Sequence, residues 1–73
     1  MTHDRIAADP AVLAGKPVIR GTRIGVDLIL RKLGAGVSVA EILADHPHLS
    51  EADIHAAQAF AADYIANEEV TFG

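Results

Sequence analysis

Four residues that interrupt helices, Pro10, Gly15, Pro17 and Gly21, fall close together near the start of this chain. Proline has no amide to donate and glycine is costly to order, so residues 5–24 cannot form a long helix. The apolar residues among the breakers are Ile6, Val12, Leu13, Val18, Ile19 and Ile24. They predict one or two short strands, with Val18–Ile19 the strand core and Gly21–Thr22 a turn. Strands this short make a small β element and not a sheet that stands alone.

After Gly25 the apolar period changes. Val26, Leu28, Ile29, Leu30 and Leu33 predict a short helix, begun by Asp27 as a cap or through Gly25, and ended by Gly34-Ala35-Gly36. Ser38 with Glu41 has the spacing of a capping box and opens a second helix over 39–45, whose buried side is Ile42 and Leu43. His46-Pro47 stops it, because the residue before proline is pushed away from helical geometry. Ser50 with Asp53 repeats the device and opens a third helix over 51–67. Its apolar marks are Ile54, Ala57, Ala61, Tyr64 and Ile65, with Phe60 beside them, and alanines at 52, 56, 57, 59, 61, 62 and 66 favour close approach of another backbone. The tail, Glu68 to Gly73, is expected to fray, with Val70 and Phe72 able to add a strand to a neighbour as the alternative. The expected fold is mainly α: one domain over 1–73, with a β-containing segment 5–24 followed by a three-helix, helix-turn-helix (homeodomain-like) unit 26–67.

A chain of 73 residues has little interior, yet 51% of it is hydrophobic, and it has no cysteine for disulfides or thiolate metal sites. Small cores supply only about 3–5 kcal/mol. This composition predicts association, either as a homodimer or with another protein. No apolar run is long enough to span a membrane, and Met-Thr-His-Asp-Arg-Ile lacks the apolar stretch of a signal peptide, so the expected location is the cytoplasm.

The net charge of −4 argues against non-specific nucleic-acid binding, but the charges are segregated. All six Lys and Arg lie between Arg5 and Lys32, with three acids up to that point, whereas residues 33–73 carry seven acids and no Lys or Arg. Such polarity fits self-association, a basic ligand site, or halves that neutralise each other.

Gly15-Lys16 is not a phosphate loop, because Pro10 stands where the first glycine is required and Pro17 where Ser or Thr would reach Mg²⁺. In a helix-turn-helix DNA reader the second helix of the pair carries cations into the major groove; here it offers Glu51, Asp53, His55, Gln58 and Asp63. Any DNA contact therefore falls to the front, where Lys16, Arg20, Thr22 and Arg23 would form a cationic edge around a turn. Equally, cations on an edge strand deter aggregation without any ligand. Val18, Ile19, Ile24, Phe60 and Tyr64 are the candidate partner or dimer contacts. His46 and His48 flank a proline and lack a third ligand, so they predict no metal, and no catalytic arrangement or cofactor motif emerges. An enzyme is not expected.

Taken together, Asp9-Pro10, Gly15 to Ile24 (GKPVIRGTRI), Gly36-Val37-Ser38, Glu41-Ile42-Leu43, His46 to Ser50 (HPHLS) and Asp53-Ile54 resemble the bacterial family named domain of unknown function 433, over residues 4–66. The resemblance implies a small antitoxin-type protein with a homeodomain-like helix-turn-helix, which binds and silences a PIN-like ribonuclease toxin as its cognate partner and binds its own promoter DNA. The alternatives are a stand-alone DNA-binding regulator using Lys16, Arg20 and Arg23, and a dimerisation or adaptor module that binds no DNA. Three positions depart from the family pattern: Ala14 where glycine is frequent, Gly25 where proline is frequent, and His46 where an aromatic residue precedes the proline.

Overall fold

The structure, a computed structural model, describes residues 3–67. The tail expected to fray or to add a strand, Val70 and Phe72 included, lies outside the described residues. In chain order the elements are β1 (Ile6–Ala7), β2 (Val18–Ile19), α1 (Val26–Gly34), α2 (Val39–Asp45) and α3 (Glu51–Asn67). The expected mainly α fold with a small β front is what the chain adopts.

β1 and β2 pair antiparallel, Ile6 opposite Ile19 and Ala7 opposite Val18. The chain then turns over Ile19 to Thr22, where the Thr22 amide donates to the Ile19 carbonyl at 3.0 Å and Gly21 takes a φ of +80°. A turn with positive φ at its third residue strongly favours glycine there. The corner is thus Arg20-Gly21, one residue earlier than the expected Gly21–Thr22. The returning strand continues the pairing: the Ile19 amide donates to Ile24 and the Val26 amide to Pro17, both at 3.0 Å. β2 therefore runs between β1 and the stretch that leads into α1.

Val12 and Leu13 do not extend this sheet. Leu13, Ala14 and Gly15 have φ of 48°, 56° and 84°, a single left-handed turn closed by the Lys16 amide on the Leu13 carbonyl at 3.2 Å. Left-handed backbone costs a non-glycine residue about 1–2 kcal/mol. The two strained residues are Leu13 and Ala14.

The helices start and stop where local chemistry directs. α1 begins at Gly25 with no side-chain cap and closes by a double hydrogen bond, Gly36 to Leu33 (3.0 Å) and Val37 to Lys32 (2.9 Å), with Gly36 at φ +88°. This is the left-handed glycine closure of a helix C-terminus. At α2 the Ser38 hydroxyl accepts from the Glu41 amide at 3.1 Å, and Glu41 in turn accepts from that hydroxyl at 3.3 Å. The box is therefore one-sided, since the glutamate does not reach the Ser38 amide. At α3 it is reciprocal: the Asp53 amide donates to Ser50 Oγ (3.3 Å) and the Ser50 amide to Asp53 Oδ2 (3.0 Å).

The core lies where α1, α2 and α3 meet under the β layer. Ile6, Ile19, Val26, Ile29, Ile42, Leu49, Ile54 and Ala57 form one buried cluster. Ile42 and Ile54 are fully enclosed, and each such side chain contributes about 1.5–3 kcal/mol of apolar burial. α3 reaches beyond this cluster. Its first half is buried through Asp53, Ile54 and Ala57, whereas Tyr64 and Ile65 near its end are 57% and 60% exposed.

Candidate interaction surface

The residues expected to face DNA separate into two groups. Arg20 staples the N-terminal segment: its Nε donates to the Asp4 carbonyl at 2.6 Å, its Nη2 to the Ile6 carbonyl at 3.1 Å, and its own amide to the Arg5 carbonyl at 2.7 Å. Thr22 Oγ1 donates to the Ile19 carbonyl (2.7 Å) and accepts from the Ile24 amide (3.0 Å), locking the turn from inside. The Thr22 hydroxyl is thus committed to the chain's own backbone, and the exposed Arg20 guanidinium spends two of its five donors there. Lys16 and Arg23 are exposed too, as is Arg31 on α1. None of these three takes part in an ion pair among the described residues.

The expected contact residues separate in the same way. Val18 and Ile19 are each 2% exposed, so these side chains fill the chain's own interior and present nothing to a partner. Successive strand residues point to opposite faces: Ile19 joins the core cluster with the helices, whereas Val18 lies outside that cluster, beside Ala7, Asp9 and Val12. Ile24 is half-buried against the core. Phe60 and Tyr64 remain at the surface, their rings stacked at 6.2 Å between centroids, and His3 stands edge-on to Phe60 at 5.4 Å.

Lys16, Phe60 and Tyr64, drawn from the two separate expectations, meet in one place. They line a groove of about 470 Å³ between α1 and the outer half of α3, floored by Val26 and Leu30 and walled by Ile65. Apart from Lys16 and Asp27 at its rim, the lining is apolar or aromatic. A second depression of about 250 Å³ adjoins it, lined by Leu13, Leu28, Arg23 and Gly25, and shares the same Lys16 and Asp27. Leu13 and Leu28 are 43% and 39% exposed, unusual for leucines in a chain with so small a core. No sequence signal marked Leu13 or Leu28 as surface residues, since both fit apolar periods.

Charged pairs tie the segments that carry these residues. Arg5 Nη1 donates to Asp53 Oδ1 at 3.1 Å, joining the N-terminal segment to the start of α3. Burial alone would push the Asp53 carboxyl up. The Ser50 amide, the Arg5 guanidinium and the Ser50 hydroxyl outweigh it and hold the carboxyl below its ordinary value. Asp53 is thus a buried keystone and not one of the side chains that the third helix offers outward, where the sequence groups it with Glu51, His55, Gln58 and Asp63. His3 Nε2 meets Asp63 Oδ2 at 2.8 Å, a second tie between the N-terminal segment and α3. Lys32 Nζ lies 3.6 Å from Asp45 and 3.4 Å from His46 Nε2, which clamps α1 to the end of α2. His46 therefore contributes a polar clamp at the position where the family pattern has an aromatic ring.

On α3, the exposed positions of the first two turns are Glu51, Ala52, His55, Gln58 and Ala59, with Glu51 and His55 3.7 Å apart. No Lys or Arg stands on this helix. Among the described residues, no three His, Asp or Glu side chains gather in a way that could hold a metal ion. No helix among them is long and apolar enough to cross a membrane.

Fold and surface together define a class: a small three-helix protein with a β-edged front and a partly apolar, cation-fringed face. Its family follows from comparison. The model of the family described as Protein of unknown function (DUF433) matches residues 6–61, and the chain belongs to that family. The chain is also similar to a solved structure of a DUF433 member protein from Anabaena variabilis, at 31% identity and a TM-score of 0.80 over 85% of this chain. It spans 61% of that protein's length. No curated protein matches it.

Proposed function

We propose that this protein is a protein-binding module of the antitoxin type, which neutralises a PIN-like ribonuclease by occupying its surface. The observation that carries this reading is the groove between α1 and the outer half of α3, where Tyr64 and Ile65 are left exposed beside a half-buried Phe60 in a chain short of core. Masking a nuclease takes an apolar contact of sufficient extent and no chemistry of the masker's own. The resemblance to an antitoxin-type family supplies the class of partner.

Promoter binding takes second place in this reading. The exposed cations without an ion pair among the described residues are Lys16, Arg20, Arg23 and Arg31, with two of the Arg20 donors taken by backbone carbonyls. Four phosphate contacts correspond to a log–log salt slope of about −3.6, far shallower than that of a large operator-binding dimer. A slope much steeper than this would favour the stand-alone regulator.

Co-expression with the product of the adjacent gene tests the main reading. A co-purifying complex and relief of growth arrest are expected. If the two proteins separate on a column and growth stays arrested, the antitoxin role is rejected. Sedimentation of the protein alone then distinguishes the adaptor reading, which requires a homodimer at micromolar concentration.

A further inference from the structure

The two depressions described above share Lys16 and Asp27, so they are one continuous surface with Leu13 and Leu28 at one end and Tyr64 and Ile65 at the other. Its charged fringe is lopsided. Lys16 and Arg23 line it, and Arg31 follows Asp27 and Leu28 on the same face of α1, one turn on. Asp27 is the single acid that lines it. None of these three cations is paired among the described residues, whereas Arg5 and Lys32 have found Asp53 and Asp45.

The backbone beneath Leu13 adds an independent observation. Leu13 and Ala14 both sit in left-handed backbone, at φ 48° and 56°, and the result of that strain is a leucine turned 43% outward beside Lys16. Strain of this kind persists where the surrounding structure enforces it and concentrates at binding sites. A leucine already turned outward is placed to be covered by a partner, as an anchor residue requires.

We propose that this surface is the docking site for an acidic amphipathic helix of a partner protein. The helix's apolar side chains cover Leu13, Leu28 and the groove floor, and its carboxylates meet Lys16, Arg23 and Arg31. The identity of that helix as part of a toxin rests on the function proposed above; the chemistry of the site does not. An apolar stripe at helical spacing fits an elongated groove, and the unpaired cations select acidic over basic helices.

Two arms test it. In the first, methyl NMR spectra of the intact protein are recorded with a stapled amphipathic peptide carrying leucines at helical spacing and glutamates on its flanks, and with the same peptide bearing lysines instead. Perturbation of the Leu13, Leu28 and Ile65 methyls is expected, with the acidic peptide binding at least about tenfold more tightly and losing affinity as salt rises. Equal binding of both peptides, perturbation confined to another face, or no perturbation overturns the proposal. In the second arm, capture of the adjacent gene's product is compared for the wild type, for K16E with R23E, for L13A with L28A, and for H55A with A59S, exposed positions of α3 that do not line the groove. Loss in the first two variants alone is expected. Capture by every variant overturns the proposal while leaving the antitoxin reading intact. Failure of the wild type to capture the product rejects the antitoxin reading, and the peptide arm still decides the surface. A homodimer that L13A with L28A dissolves would assign the face to a second copy and also overturn the proposal.

Discussion

Ala14 shows how much one residue can reveal. Its φ of 56° suits glycine, and the family pattern has glycine there. Ala14→Gly is therefore expected to stabilise the protein by roughly 0.5–1 kcal/mol, the strain relieved exceeding the added chain entropy. A denaturant midpoint that falls would contradict it. Asp53 lies at the other extreme, a buried carboxylate with the Ser50 amide on one oxygen and Arg5 on the other. Asp53→Asn is expected to cost about 1–3 kcal/mol, because charge-assisted bonds are weakened in a site that cannot admit water freely. Since the folded carboxyl is held below its unfolded value, its contribution to stability is complete above the unfolded pKa of about 3.9 and fades as pH falls through the folded one. Chemical denaturation at pH 6 and at pH 3 checks this: the gap between wild type and Asp53→Asn should shrink at the lower pH.

At the scale of elements, Gly25 makes the sharpest case. It precedes α1 with φ −68° and ψ 142°, values proline adopts, and the ladder bonds on either side use Ile24 and Val26 and not the Gly25 amide. A Cβ there would press on the Asp27 side chain, which is exposed and able to swing away. Gly25→Pro is expected to raise stability by about 0.4–1 kcal/mol by narrowing the unfolded ensemble, read as a higher thermal midpoint. A lower midpoint would show that Asp27 cannot move. The helix boundaries themselves were legible in the residues. Ser38, Ser50, Gly36 and Pro47 act within a few residues of their own position, so 39–45 and the start of the third helix emerge from spacing alone. The turn was legible only to within one residue, because Ile19 and Thr22 close it through a hydrogen bond that depends on the returning strand.

At the scale of the whole molecule, the outer half of α3 belongs to the surface rather than to the core. Ile65→Ser is accordingly expected to change stability by no more than about 0.5 kcal/mol while weakening partner capture. Thermal melts beside a co-purification assay separate the two effects, and a large fall in stability would mean that Ile65 packs in the interior. The candidate contacts were only partly legible. Phe60 and Tyr64 could be read as apolar marks of the third helix, and Lys16 and Arg23 as front-loaded cations. That Lys16, Phe60 and Tyr64 line one groove could not, because these residues come from segments far apart in the chain.

By itself the sequence determined the kinds of element, their order and nearly all their ends, since breakers, caps and apolar periods act over one or two turns. It also determined that cations lie in the first half and acids in the second. Only the tertiary structure decided which of those charges remain available. Arg5 reaches Asp53 across 48 positions and His3 reaches Asp63 across 60, while Arg20 turns back onto the carbonyls of Asp4 and Ile6. Electrostatic pairing and burial depend on distance in space and not along the chain. Chain folding therefore buried Val18 and Ile19, tied Arg20 and Thr22 to backbone carbonyls, and left Lys16, Arg23, Leu13 and Leu28 exposed.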